Sequence, residues 1–197
     1  VWQGKVVFAT AHQYLQPPID VAHDGGVFVT RTMPRQAKET KALIKLHNKL
    51  ILALGMERGV AHTEFIKGED GEFYFLETAA RVGGANIEQL VEASSGINLW
   101  AEWARVETAA LRNEDYQVPK DRGEYAGVMI CLARQEWPDL SGYSDTEIVY
   151  RVNKQQHAGL IVASPQHERV EQLIHDYSQR FAHDFLAVAP PLDTAPT

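Results

Sequence analysis

Residues Gly59 to Asn86 read GVAHTEFIKGEDGEFYFLETAARVGGAN, and the rest of the chain is read outward from them. Val60 to Ile66 and Glu72 to Thr78 are short runs rich in β-branched and aromatic residues, the composition of strands. Between them lies Gly68-Glu69-Asp70-Gly71. Asp-Gly between strand-like runs predicts a hairpin with a type I′ turn, whose two central residues both need positive φ. With Asp70 and Gly71 in those places, Glu69 pairs with Glu72, Ile66 with Phe75, and Glu64 with Glu77. The last pair puts two carboxylates on one face with Cβ atoms ~5 Å apart, an unfavourable arrangement unless something compensates. A divalent cation held by both would compensate, and two carboxylates solvated on an exposed sheet face are the equal alternative on spacing alone. Arg81, four residues past Glu77, adds a cation nearby.

The sequence Glu64, then Phe-Tyr-Phe-Leu-Glu77-Thr-Ala79-Ala-Arg81, then Val-Gly83-Gly84, resembles the hairpin that closes the nucleotide site in the ATP-grasp superfamily. There a Glu-bearing strand is followed by a strand ending Glu-x-Asn-x-Arg. The chain is similar to the C-terminal lobe of an ATP-grasp carboxylate–amine ligase, above all to the amino-acid ligase and biotin-carboxylase branches. It departs from the pattern at Ala79, which stands where the family usually has Asn as a third metal ligand. The resemblance is strong over Gly4 to Glu107 and loose beyond.

The resemblance implies an enzyme that uses ATP to turn a carboxylate into an acylphosphate, which an amine then attacks. Glu64 and Glu77 would hold Mg²⁺ (or Mn²⁺) on the ATP phosphates. The Ile66 position would line the adenine pocket, while Phe75 reads as core. Arg81 would be catalytic, its guanidinium fork binding the anionic oxygens of the intermediate. Gly83 and Gly84 would let substrate approach the backbone. The partners implied are a small carboxylate or amine substrate and an N-terminal lobe, in cis or in trans, with a homodimer left open. The Gly-rich loop, lysines and hinge of that lobe have no counterpart here. The chain is therefore expected to be a fragment, or a separately expressed lobe, that does not enclose ATP alone. Ligase turnover by the 197 residues alone, measured as ADP release, is expected to be absent or very weak. The alternative from another class is a non-catalytic module that keeps the fold for binding or assembly, which Ala79 favours.

Composition agrees with an ordinary globular protein, 45% apolar and 23% charged. A net charge of −7 with no Lys/Arg cluster argues against nucleic acid as a partner. The single cysteine, Cys131, excludes an intramolecular disulfide framework and fits a reducing, cytoplasmic setting. No apolar run is long enough to cross a membrane. The eight histidines form no metal-ligating spacing. His62, two residues before Glu64 and so on the same strand face, could reach the site, and Tyr14, His12 and His23 could contact substrate, though nothing in the sequence singles those three out.

Along the chain, Val1 to Tyr14 reads as a strand ended by Pro17-Pro18, residues 23–26 as a turn, and Val27 to Thr30 as a strand. Arg35 to Leu54, Ile87 to Ala93, Leu99 to Leu111 and Gln166 to Phe185 carry helical apolar spacing, the third capped by Asn98. Tyr125 to Ala133, Glu147 to Val152 and Gly159 to Ala163 read as strands, the last two paired. Asn113 to Gly123 is the expected linker. The division is an ATP-grasp lobe over 1–112 and an α+β extension over 124–190, with Ala189 to Thr197 a frayed end. The fold class is α+β, a mainly antiparallel sheet with helices packed on it.

Overall fold

A computed structural model describes residues 1–187. The elements in chain order are β1 (His12–Tyr14), α1 (Pro18–Asp24), β2 (Phe28–Thr32), α2 (Lys38–Ala53), β3 (His62–Lys67), β4 (Phe73–Ala79), α3 (Ile87–Ser95), α4 (Leu99–Arg112), β5 (Tyr125–Leu132), β6 (Ile148–Arg151), β7 (His157–Ser164) and α5 (His167–Asp184). The strands form a five-stranded sheet, in the order β1-β2-β5-β7-β6, and the two-stranded sheet β3-β4. The pairs β2–β5, β5–β7, β6–β7 and β3–β4 are all antiparallel. This is the expected α+β class.

Contacts divide the chain into two compact units. One comprises residues 1–11 and 32–123; the other comprises 12–31 and the described residues from 124 on. The second unit is built on β5 and β7, whose eight paired positions run from Tyr125↔Ser164 to Leu132↔His157. Helix α5 lies on this pair and buries a stripe at helical spacing: Val170, Leu173, Ile174, Tyr177 and Phe181. Gly127 makes the close approach possible. A Cβ there would stand 2.1 Å from Ile174 Cδ1 and 2.9 Å from its Cγ1. Arg169 of α5 then ties down the loop before β6, donating to Glu147 Oε1 and Asp145 Oδ1, each at 2.7 Å. Those bonds hold the Glu147 carboxyl down at about 2. Cys131 is buried, and burial raises its thiol to about 11, as befits a small core residue.

The first unit packs α3 against α4 around Leu90, Val91, Ile97 and Val106. Gly96 closes α3 in the left-handed conformation, its N–H donating to the Glu92 carbonyl at 2.7 Å. Asn98 caps α4 as expected, accepting from the Ala101 N–H at 2.9 Å. Glu102 is buried in α4, where Arg105 donates to one carboxylate oxygen and the Tyr116 hydroxyl to the other.

Two expectations are corrected. Residues 1–11 are not a strand apart from a bridge between Trp2 and Lys5. A strand needs a partner's ladder, and only His12–Tyr14 has one, in β2. The dipeptide Pro17-Pro18 does end that strand, but Pro18 also starts α1, which the sequence reading passed over. A proline's fixed φ and missing N–H suit the first helical turn. The frayed end expected at Ala189–Thr197 lies outside the described residues, as does the end of the 124–190 segment. Among the described residues, no helix is long and apolar enough to cross a membrane.

The fit of α5 on β5 yields a stability test. Gly127→Ala is expected to destabilise the protein by about 1–3 kcal/mol, since buried Ile174 cannot yield space without repacking. Urea unfolding measures it; a midpoint equal to wild type would contradict the packing described.

Candidate functional site

The hairpin β3–β4 places Glu64 opposite Glu77, the pair expected from the sequence, but by a different route. The turn is not type I′. Gly71 has φ +82°, whereas Asp70 is not in the left-handed region. The Gly71 N–H donates to the Gly68 carbonyl at 3.0 Å, and the Gly68 N–H to the Glu72 carbonyl at 2.8 Å. This is a three-residue loop whose last residue is left-handed. Asp70 builds it, accepting from the Glu72 N–H at 3.0 Å and from the Tyr74 hydroxyl at 2.6 Å. The Tyr74 bond holds the Asp70 carboxyl below the usual carboxylate range.

The longer loop shifts the strands by one residue near the tip. Ile66 faces Tyr74, and Phe65 faces Phe75, so the expected Ile66–Phe75 pair does not form. A bulge between Glu64 and Phe65 then restores the register, with Leu76 as the extra residue on β4. From there Glu64 faces Glu77, Thr63 faces Thr78 and His62 faces Ala79. The threonine pair fixes this end: the two hydroxyls are 2.7 Å apart, and Thr78 Oγ1 also donates to the His62 carbonyl at 3.2 Å. Phe75 is 51% exposed, a correction to its reading as core, and its ring sits 6.3 Å from that of Phe65.

Strand alternation puts His62, Glu64 and Ile66 on one face of β3. Glu64 is half-buried, Ile66 exposed and Glu77 exposed. The His62 Nε2 and Glu64 Oε1 atoms are 3.2 Å apart. His62 is thus the residue that the site assignment left out, although its i, i−2 spacing from Glu64 was the signal. Arg81 is exposed, and its Nη1 donates to the Val82 carbonyl at 3.0 Å. Among the described residues it makes no ion pair with Glu77 or Glu88. Gly84 is exposed, and a Cβ on it would lie 4.0 Å from Arg81 Nη1. Gly83 is buried beside the His62 ring. Asn86 is left-handed at the start of α3 and donates to Gln89 Oε1 at 3.0 Å.

The donor set suits a magnesium ion better than a caged metal. Among the described residues, no three His, Cys, Asp or Glu side chains gather into a metal-binding group. Mg²⁺ needs no such cage, since it is held by one or two carboxylates and completes its shell with water and phosphate oxygens. Two opposed carboxylates are that set.

No protein-family model matches the chain, and no curated protein matches it in sequence. Solved structures do match in fold. The L-amino acid ligase from Bacillus licheniformis aligns over 84% of this chain and 44% of its own, with 20% identity and a TM-score of 0.58. The phosphoribosylglycinamide synthetase from Anaerococcus prevotii aligns over 96% and 51%, with 16% identity and a TM-score of 0.66. A biotin carboxylase domain of a single-chain bacterial carboxylase aligns over 81% and 41%, with 13% identity and a TM-score of 0.51. The chain spans about half the length of these proteins, or less.

The turn carries its own test. Gly71→Ala forces a Cβ into the left-handed region and is expected to cost about 1 kcal/mol locally. Amide exchange at Gly68, whose N–H closes the loop, should speed up roughly fivefold at that cost; unchanged exchange would contradict the loop assignment. Over most of its length the chain shares the fold of these structures, which is the ATP-grasp fold.

Proposed function

We propose that this chain supplies the metal- and nucleotide-holding part of an ATP-dependent carboxylate–amine ligase. The observation that carries this reading is the Glu64–Glu77 pair, held opposite each other on the hairpin of an ATP-grasp fold. Together the two carboxylates would hold Mg²⁺ (or Mn²⁺), which when bound would supply positive charge against that of the ATP phosphates. Ile66, exposed on the Glu64 face of β3, offers its side chain to the adenine. Arg81, exposed just past β4, binds and orients the anionic substrate oxygens with its guanidinium fork, and Gly83 and Gly84 let the substrate come near the backbone. Carboxylate activation as an acylphosphate, followed by amine attack, is the reaction these groups serve. An amino acid or peptide is the substrate class favoured. The segments 1–112 and 124–190 act as lobe and extension, and a second lobe in cis or trans completes the enclosure.

A second reading has one observation in its favour. Ala79 faces His62 where a third ligand is usual, which suits a binding module that has kept the fold without the reaction. Both readings meet one measurement. Mg²⁺ and ADP are titrated by calorimetry into the wild-type chain and into Glu77→Gln. On the ligase reading, Glu77→Gln lowers the apparent affinity about tenfold or more, because a neutral amide loses the charge that pairs with the metal. Identical isotherms for the two proteins would overturn the metal site.

A further inference from the structure

We propose that His62 is a positioning residue for Glu64, and that Gly83 is glycine because the imidazole occupies the space beside it. The inference rests on the reading of Glu64 and Glu77 as metal-holding carboxylates.

The geometry begins with the bond itself. His62 Nε2 lies 3.2 Å from Glu64 Oε1, and the two side chains are only 19% and 22% exposed. An ionised carboxylate can only accept, so Nε2 is the donor. A hydrogen bond to a charged acceptor in a half-buried setting is stronger than a neutral one. It gives the Glu64 carboxylate one orientation in place of the several rotamers open to a glutamate. Glu77 has no such partner among the described residues and is exposed. The two carboxylates are therefore unlike: one is set in place, and the other adjusts to what binds.

The ring that does the setting is itself confined. A Cβ on Gly83 would stand 3.0 Å from His62 Nδ1 and 3.3 Å from its Cε1, with Ile87 Cγ2 at 3.2 Å on the other side. Gly83 is not among the residues with positive φ, so its backbone does not require glycine. Space does. The His62 backbone is fixed from across the hairpin, where Thr78 donates to its carbonyl, and its cross-strand partner is the small Ala79. The sequence from Thr78 to Ile87 thus does more than follow the second glutamate: it shapes the pocket for the imidazole that orients the first.

The test uses the full chain with Mn²⁺ as the probe, read by water-proton relaxation. The proteins compared are wild type, His62→Phe, His62→Gln, Gly83→Ala and Glu77→Gln. Loss of a group that orients a ligand typically weakens metal binding ~10–100-fold, and His62→Phe is expected to lose about tenfold. His62→Gln keeps an N–H donor and should bind within about threefold of wild type. Gly83→Ala, which displaces the ring, should fall between them. Thermal melting of each variant separates these losses from unfolding. If His62→Phe binds Mn²⁺ as wild type does while Glu77→Gln loses it, His62 has no positioning role and the metal site stands. If His62→Gln is as weak as His62→Phe, the hydrogen bond is not the cause and the proposal is overturned. If wild type and Glu77→Gln bind alike, the metal reading and the proposal both fall.

Discussion

Two glutamates held opposite each other on a two-stranded ribbon are the constraint on which the functional region turns. Left uncompensated, like charges at this spacing cost about 0.2–1 kcal/mol. A hairpin chosen for stability alone would put one of them on the other face, and a one-residue slip would do so. Here several local features prevent that slip. The Asp70 turn sets the tip, the bulge at Leu76 corrects the register, and the Thr63–Thr78 pair locks it beyond the bulge. The register is specified at each step, even though its product is two like-charged residues opposite each other.

The sequence carried the Glu64–Glu77 pairing, yet for reasons that were only half right. Counting from a type I′ turn predicts the pair. The chain instead makes a three-residue loop, one residue out of step, and the bulge removes the error before the glutamates are reached. Turn type was not legible because Asp-Gly serves both loops; Asp70 decides between them by accepting from the Tyr74 hydroxyl, a contact four residues along that no dipeptide rule contains. The bulge was not legible because nothing in Phe75-Leu76 distinguishes it from regular strand. The Ile66–Phe75 pair, which lies between turn and bulge, is where the two offsets do not cancel, and there the expectation failed.

Helices were read more reliably than the N-terminal strands, and the reason is the range of the interactions. Asn98 caps its own helix, and α5 shows its apolar stripe within eighteen residues. Strand β2 instead finds its partner in β5, nearly a hundred residues later, through pairs such as Phe28↔Ile130. Periodicity cannot reveal which distant run supplies the ladder. The same limit explains residues 1–11, whose apolar character suggested a strand but which form only an isolated bridge, Trp2 with Lys5, among the described residues.

The similarity to solved enzymes and the details of the hairpin bear on different questions. At 13–20% identity, a shared fold fixes the path of the backbone and so the place where two carboxylates can meet. It does not fix what surrounds them. In this chain the residue across from His62 is Ala79 and the residue beside its ring is Gly83; both are small, and the imidazole lies within reach of Glu64. In the proposed site the chain would hold one carboxylate in a fixed orientation through a neighbouring ring and leave the other adjustable, which suits a hard cation that draws its remaining ligands from water and phosphate.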